Sequence, residues 1–131
     1  HALGSIAQPD LFALYAGADL VVVPSVWPEP LSRVVLEAMQ FGRPIVATRV
    51  GGTPEAVEDG VTGLLVERGD ATALARAITE LLRDPERRAK MGAAARARAG
   101  DVFCEDRIVD ALLDTYRAAV ARHAVRGRRA A

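Results

Sequence analysis

The chain is poor in the residues that build reactive or metal centres. It has a single cysteine, Cys104, so no disulfide can close within it. Its two histidines, His1 and His123, lie near opposite ends, and with one thiol they do not make up the usual zinc ligand set. A cysteine nucleophile would also lack a partner base, and Cys104 reads as a small, part-buried side chain. Lys90 is the only lysine, so the basic residues are almost all arginine. Formal net charge is zero, which leaves no global field to draw nucleic acid or an anionic membrane. No apolar run approaches the roughly 20 residues of a membrane span, and no stretch reads as a signal peptide. The lone thiol makes a reduced, cytoplasmic setting the expectation.

What is present is an ordinary globular balance, with half of the 131 residues hydrophobic and 26% charged, enough for one domain with a core. ADLVVVPS (18–25) is a short β-branched run ended by Pro24, read as a strand buried on both faces. RPIVATR (43–49) reads the same way, and TGLLVERGD (62–70) is a weaker third strand opened by a turn at Asp59-Gly60. Between them SRVVLEAMQF predicts a helix with Ser32 as N-cap and Gly42 as its stop, its core face carrying Leu36, Met39 and Phe41. TPEAVED predicts a second, capped by Thr53 with Pro54 at the first helical position. This alternation argues for an α/β fold with a parallel sheet and right-handed crossovers.

After Gly69 the chain turns helical. Asp70 caps a helix with apolar residues at 74, 75, 78, 81 and 82, and Pro85 ends it and starts another. A last amphipathic helix carries Ile108, Leu112, Leu113, Tyr116 and Val120 on one side. The boundaries expected are a core over 18–68, C-terminal helices over 70–123 and a basic tail over 124–131. That tail reads as a solvated, frayed end, or as a peripheral contact with an anionic membrane surface. Three short strands are few for so much helix, and one helix without a strand precedes the first of them. The N-terminus is therefore expected to be cut inside a larger domain.

Two carboxylates stand out. Glu29 lies on the loop after the first strand and Glu37 eight positions on, inside the following helix. In open parallel sheets, ligands bind where strands end and loops enter helix N-termini, whose unpaired N–H groups suit phosphate. Carboxylates on either side of a bound diphosphate could accept hydrogen bonds from the hydroxyls of flanking sugars. The spacing suits a sugar–diphosphate–ribose ligand, although loop and helix glutamates are also common without any such role.

The run PSVWPEPLSRVVLEAMQFGRPIVATRVGGTPEAVEDGVTGLLVERGD resembles the donor-binding half of a retaining glycosyltransferase of the GT-B fold, in glycosyltransferase family 4. The resemblance rests on the E-x7-E pair Glu29 and Glu37, the EAM…G-x-P-x-VAT run, the GG-x-PE loop at Gly51–Glu55 and the DG-x-TG-x-LV turn at Asp59–Val66. It implies a Rossmann-like α/β/α architecture over 1–131, the C-terminal part of a donor domain with extra helices. It makes Glu29 the catalytic-site carboxylate, binding hydroxyls of the transferred sugar, and Glu37 the acceptor for ribose hydroxyls. Backbone amides of Leu31, Ser32 and Arg33, following Pro30, would face the sugar, and those of Val34 and Val35 the diphosphate. The donor would be a nucleotide-diphosphate sugar, with no metal cofactor.

The family commonly has Phe-Gly where this chain has Leu31-Ser32. The family's diphosphate-clamping Arg and Lys, its base pocket and its acceptor domain lie upstream of this segment. The isolated chain is therefore expected to be inactive, with the acceptor domain as its partner and self-association through an exposed sheet edge. The alternative is a non-catalytic nucleotide-binding or assembly module that keeps the fold without turnover. Three features carry two readings each. Arg33 reaches a phosphate or is solvated, Gly51-Gly52 admits a ligand or makes a tight turn, and Trp27 stacks on a sugar or packs on its loop.

Overall fold

A computed structural model describes residues 1–129 of the chain, with side chains through His123. The chain divides into two compact units, His1–Gly100 and a second from Asp101 onward. The first unit opens with α1 (Gln8–Gly17), followed by β1 (Val21–Val23), α2 (Arg33–Gln40), β2 (Ile45–Thr48), α3 (Thr53–Ala56), β3 (Gly63–Val66), α4 (Ala71–Arg83) and α5 (Pro85–Val102). The strands form a parallel sheet in the order β1-β2-β3, with Val21 opposite Ile45 and Ile45 opposite Gly63. The architecture is the α/β Rossmann-like one expected. Only the central β2 is buried on both faces; β1 and β3, at the two edges, are partly covered. The strands are also shorter than the apolar runs that announced them, because the ladder ends where the chain turns away at Pro24 and Val50.

The two faces of β2 are packed differently. Val46 meets Ala77 and Leu81 of α4 and Met91 of α5, with Leu20, Val22, Leu64, Val66, Leu74 and Ile78 packed around them. Alternation along the strand sends Ile45 and Ala47 to the opposite face, where α2 packs on β1 and β2 through its buried Val35, Ala38 and Met39. Leu36 and Phe41, expected in the core, are half-buried. The α4 stripe runs through Leu74, Ala77, Ile78 and Leu81, leaving Ala75 and Leu82 exposed.

The helix ends show how the arginines are used. Asp70 caps α4 as expected, accepting from the Ala73 N–H at 2.8 Å. Gly42, just past the α2 C-cap Phe41, takes the left-handed conformation at φ 65°. The expected Thr53 cap is one residue off, for Gly52 is the N-cap and Thr53 begins the single turn of α3. The orphan carbonyls at three helix C-termini are met by guanidinium groups. Arg43 Nη2 donates to Ala16 O at 2.6 Å, and Arg98 donates to Glu55 O and Ala56 O, both at 2.8 Å. Arg88 donates to Leu81 O and Leu82 O at 2.8 and 2.7 Å while pairing Asp19 at 2.9 Å.

The second unit takes in the last two residues of α5 and the whole of α6 (Glu105–Arg129), which carries the expected apolar residues Ile108, Leu112, Leu113, Tyr116 and Val120, all exposed. Positions 124–129 of the expected tail continue this helix, and Ala130 and Ala131 lie outside the described residues. Cys104 is free and half-buried. No helix among the described residues is long and apolar enough to cross a membrane.

Leu81 is completely buried between the sheet and α5. Leu81→Ala is expected to destabilise the chain by about 2–5 kcal/mol through lost burial and a residual cavity, read from the urea midpoint.

Candidate donor-binding site

The site lies at the carboxyl ends of the strands, on the loop between β1 and α2 and on the first turns of α2. Glu29 is partly buried on that loop, and Ser25, four residues before it, donates its hydroxyl to Glu29 Oε1 at 3.0 Å. The backbone carrying Ser25 is pinned from β2, because the Thr48 hydroxyl donates to Ser25 O at 2.6 Å. The first carboxylate is thus held by two neutral hydroxyls acting in series.

The loop is held more tightly still by its neighbour. Gly52 N–H donates to Glu29 O at 2.9 Å. A Cβ on Gly51 would fall 1.9 Å from Glu29 O, and one on Gly52 would fall 1.8 Å from Pro30 O. Gly51 also has φ 50°, a conformation that side chains oppose. Of the two sequence readings of the glycine pair the tight turn holds, closed by Thr53 N–H on Val50 O at 3.1 Å. The pair's missing side chains make room for the Glu29-Pro30 backbone itself, and the tight turn is part of that contact.

Glu37 sits one turn into α2, its side chain 18% exposed. Tyr15 of α1, only 5% exposed, donates its hydroxyl to Glu37 Oε2 at 3.2 Å. Arg33 donates to Oε1 at 3.2 Å from one turn earlier on α2. That arginine is 82% exposed, so its ion pair is weak and easily exchanged. Burial, followed by the hydrogen bond and the charge of Glu37, raises the Tyr15 phenol above its ordinary 10.0. Tyr15 is seated by ring contacts with Phe41, which also packs on Phe12, at centroid distances of 5.7 and 5.4 Å.

Between the two carboxylates, Pro30 and Leu31 are exposed, and Ser32 is buried as the α2 N-cap. Among the described residues the Ser32 side chain makes no capping bond, and the first backbone bond into the helix is Leu36 N–H to Ser32 O at 3.3 Å. The N–H groups of Arg33, Val34 and Val35 therefore head the helix as donors, with partial positive charge behind them. The side chains of Arg33 and Val34 face outward, whereas Val35 is fully buried and offers only its backbone. Trp27 is exposed beside the loop rather than packed on it. Among the described residues no group of His, Cys, Asp and Glu is arranged to hold a metal ion. Tyr15, Ser25 and Thr48 were missed in the sequence. Only Ser25 carried a local signal, as a hydroxyl four positions before a loop carboxylate.

A family profile for glycosyl transferases group 1 matches residues 1–98. A D-inositol 3-phosphate glycosyltransferase of Salinispora tropica is 48% identical over 117 residues, covering 89% of this chain and 24% of its own length. One of Mycobacterium tuberculosis is 44% identical over 120 residues, again covering 89% and 24%. The chain therefore spans about a quarter of the length of the curated relatives it matches. Among solved structures, Anabaena HepE in complex with UDP superposes with a TM-score of 0.76 at 37% identity, over 80% of this chain and 29% of that one. HepE has also been solved with UDP-glucose, at a TM-score of 0.75. Thermosynechococcus elongatus sucrose-phosphate synthase superposes with a TM-score of 0.83 at 38% identity, over 92% of this chain and 30% of that one.

Gly52→Ala is expected to displace the Glu29 loop and cost about 1–3 kcal/mol, since two main chains would have to part around one methyl group. Gly100→Ala, on α5 with nothing within 4 Å of the added carbon, serves as the control. It is expected to stabilise by up to about 1 kcal/mol through helix propensity. Paired thermal melts and amide spectra of the two variants check both signs.

Proposed function

The chain belongs to the glycosyl transferases group 1, and on that premise we propose that it is the donor-binding portion of a retaining glycosyltransferase of family 4. The parent protein transfers a sugar from a nucleotide-diphosphate sugar to an acceptor hydroxyl. The observation that carries this reading is the placement of Glu29 and Glu37 on either side of the α2 N-terminus, each carboxylate held by a neutral hydroxyl. The N–H groups of Val34 and Val35 receive the diphosphate. Glu29, with the amides of Leu31, Ser32 and Arg33 after Pro30, receives the transferred sugar, and Glu37 the ribose. A carboxylate accepts two or more hydrogen bonds, which suits paired sugar hydroxyls. The growing charge on the leaving diphosphate is met by preorganised N–H dipoles, and no divalent metal is required of this chain.

Uridine diphosphate is the nucleotide we assign, supported by the UDP and UDP-glucose complexes of the HepE structures. The acceptor domain and the cationic clamp on the diphosphate are supplied by the rest of a protein about four times this length, as the relatives suggest. The chain alone binds donor without transferring it. With β1 and β3 as the edges of an open sheet, copies of the isolated chain associate through an unpaired strand.

The test is ligand-observed NMR against UDP, GDP and ADP, with and without their sugars. Selective binding of the uridine ligands is expected, unchanged by EDTA. Glu37→Ala is expected to weaken it by about 1.5–3 kcal/mol, the size of a charge-assisted hydrogen bond. Binding indifferent to Glu37→Ala overturns the donor-site reading in favour of a scaffold without chemistry. Light scattering should show the apparent mass of the chain rising with concentration; a constant monomer mass removes the edge-pairing part.

A further inference from the structure

We propose that Tyr15 is a positioning residue for donor binding, fixing the Glu37 carboxylate so that Oε1 is the oxygen presented to the ligand. The inference rests on the donor-site reading and adds to it a residue from α1, outside the motif. A glutamate carboxylate turns freely about its last torsion, which is broad and nearly two-fold. Here the two oxygens have unlike partners. Oε2 takes its hydrogen bond from a phenol that is 5% exposed and whose ring lies against Phe41 at the end of α2, the helix that carries Glu37. Oε1 takes its bond from Arg33, a flexible side chain 82% exposed. The buried donor cannot leave without undoing the packing of α1, whereas the exposed one exchanges with a ligand hydroxyl at little cost.

The carboxylate is therefore oriented before the ligand arrives, which spares the ligand the entropy of ordering it. α1 itself is held in place for this by Arg43, whose guanidinium donates to Ala16 O at 2.6 Å, one residue past Tyr15. The raised phenol pKa fits a hydroxyl that keeps its proton for this bond.

The test is a double-mutant cycle on the whole chain with UDP as the probe. Tyr15→Phe keeps the ring and removes only the donor. It is expected to weaken UDP binding about tenfold, the effect of one hydrogen bond to a charged group, and to cause no further loss in a Glu37→Ala background. A second readout needs no ligand. With Tyr116, the other tyrosine, replaced by phenylalanine, the phenolate absorbance titration of Tyr15 should move towards the ordinary range on Glu37→Ala. Full affinity in Tyr15→Phe, equal losses in both backgrounds, or a phenol titration indifferent to Glu37 each overturns the inference while leaving the donor site standing. If Glu37→Ala itself leaves UDP binding unchanged, the donor-site reading falls and this inference falls with it.

Discussion

The contact between Gly51-Gly52 and the Glu29-Pro30 backbone is the constraint on which the site depends. These segments follow β1 and β2, adjacent parallel strands about 4.8 Å apart, and they keep that closeness after the ladder has ended. Two main chains running so near each other leave no room for a side chain between them, which is why both positions on one side are glycine. The single bond from Gly52 N–H to Glu29 O continues the ladder in irregular backbone. With the loop fixed there, Ser25 can reach Glu29, Ser32 falls at the start of α2, and Glu37 is carried one turn on towards Tyr15.

Much of this was legible in the chain itself. The alternation of apolar runs with capped helical stretches gave the parallel order, and Asp70 and Gly42 marked their boundaries correctly because their signals are local. Thr53 misled by one position, since a threonine before a proline is also what a cap looks like, and only the backbone bonding, which begins at Gly52 O, decides between them. Three short β-branched runs gave the strands but overstated their length, as hydrophobicity records burial while the ladder needs a neighbour. The site motif was visible as two carboxylates; what holds them was not. Tyr15 is 22 positions from Glu37, and no periodicity within α1 points a phenol at another helix. The glycine pair admitted either a ligand or a tight turn in the sequence, because an absent side chain does not say which group comes close.

The arginines supply the ties between helices. Arg43, Arg88 and Arg98 each end on the carbonyls of a different helix, α1, α4 and α3. A flat guanidinium can bond two acceptors in fixed directions, as Arg88 does at Leu81 and Leu82, where an ammonium would act as a point charge. These contacts go mainly to neutral backbone oxygens, so the helix ends are anchored by directional bonds to atoms that every residue possesses. Of the two carboxylates at the site, only Glu37 has an arginine partner among the described residues, and that one is exposed.

The course of the Glu29 loop is written in main-chain atoms, while the side chains of Trp27, Leu31 and Val34 point outward. The path of the loop is thereby independent of its outward side chains. Exchanging an outward side chain would change the exposed surface of the loop without altering where the carboxylates stand. A lineage could vary these positions by small steps, each tested on a loop whose path does not drift.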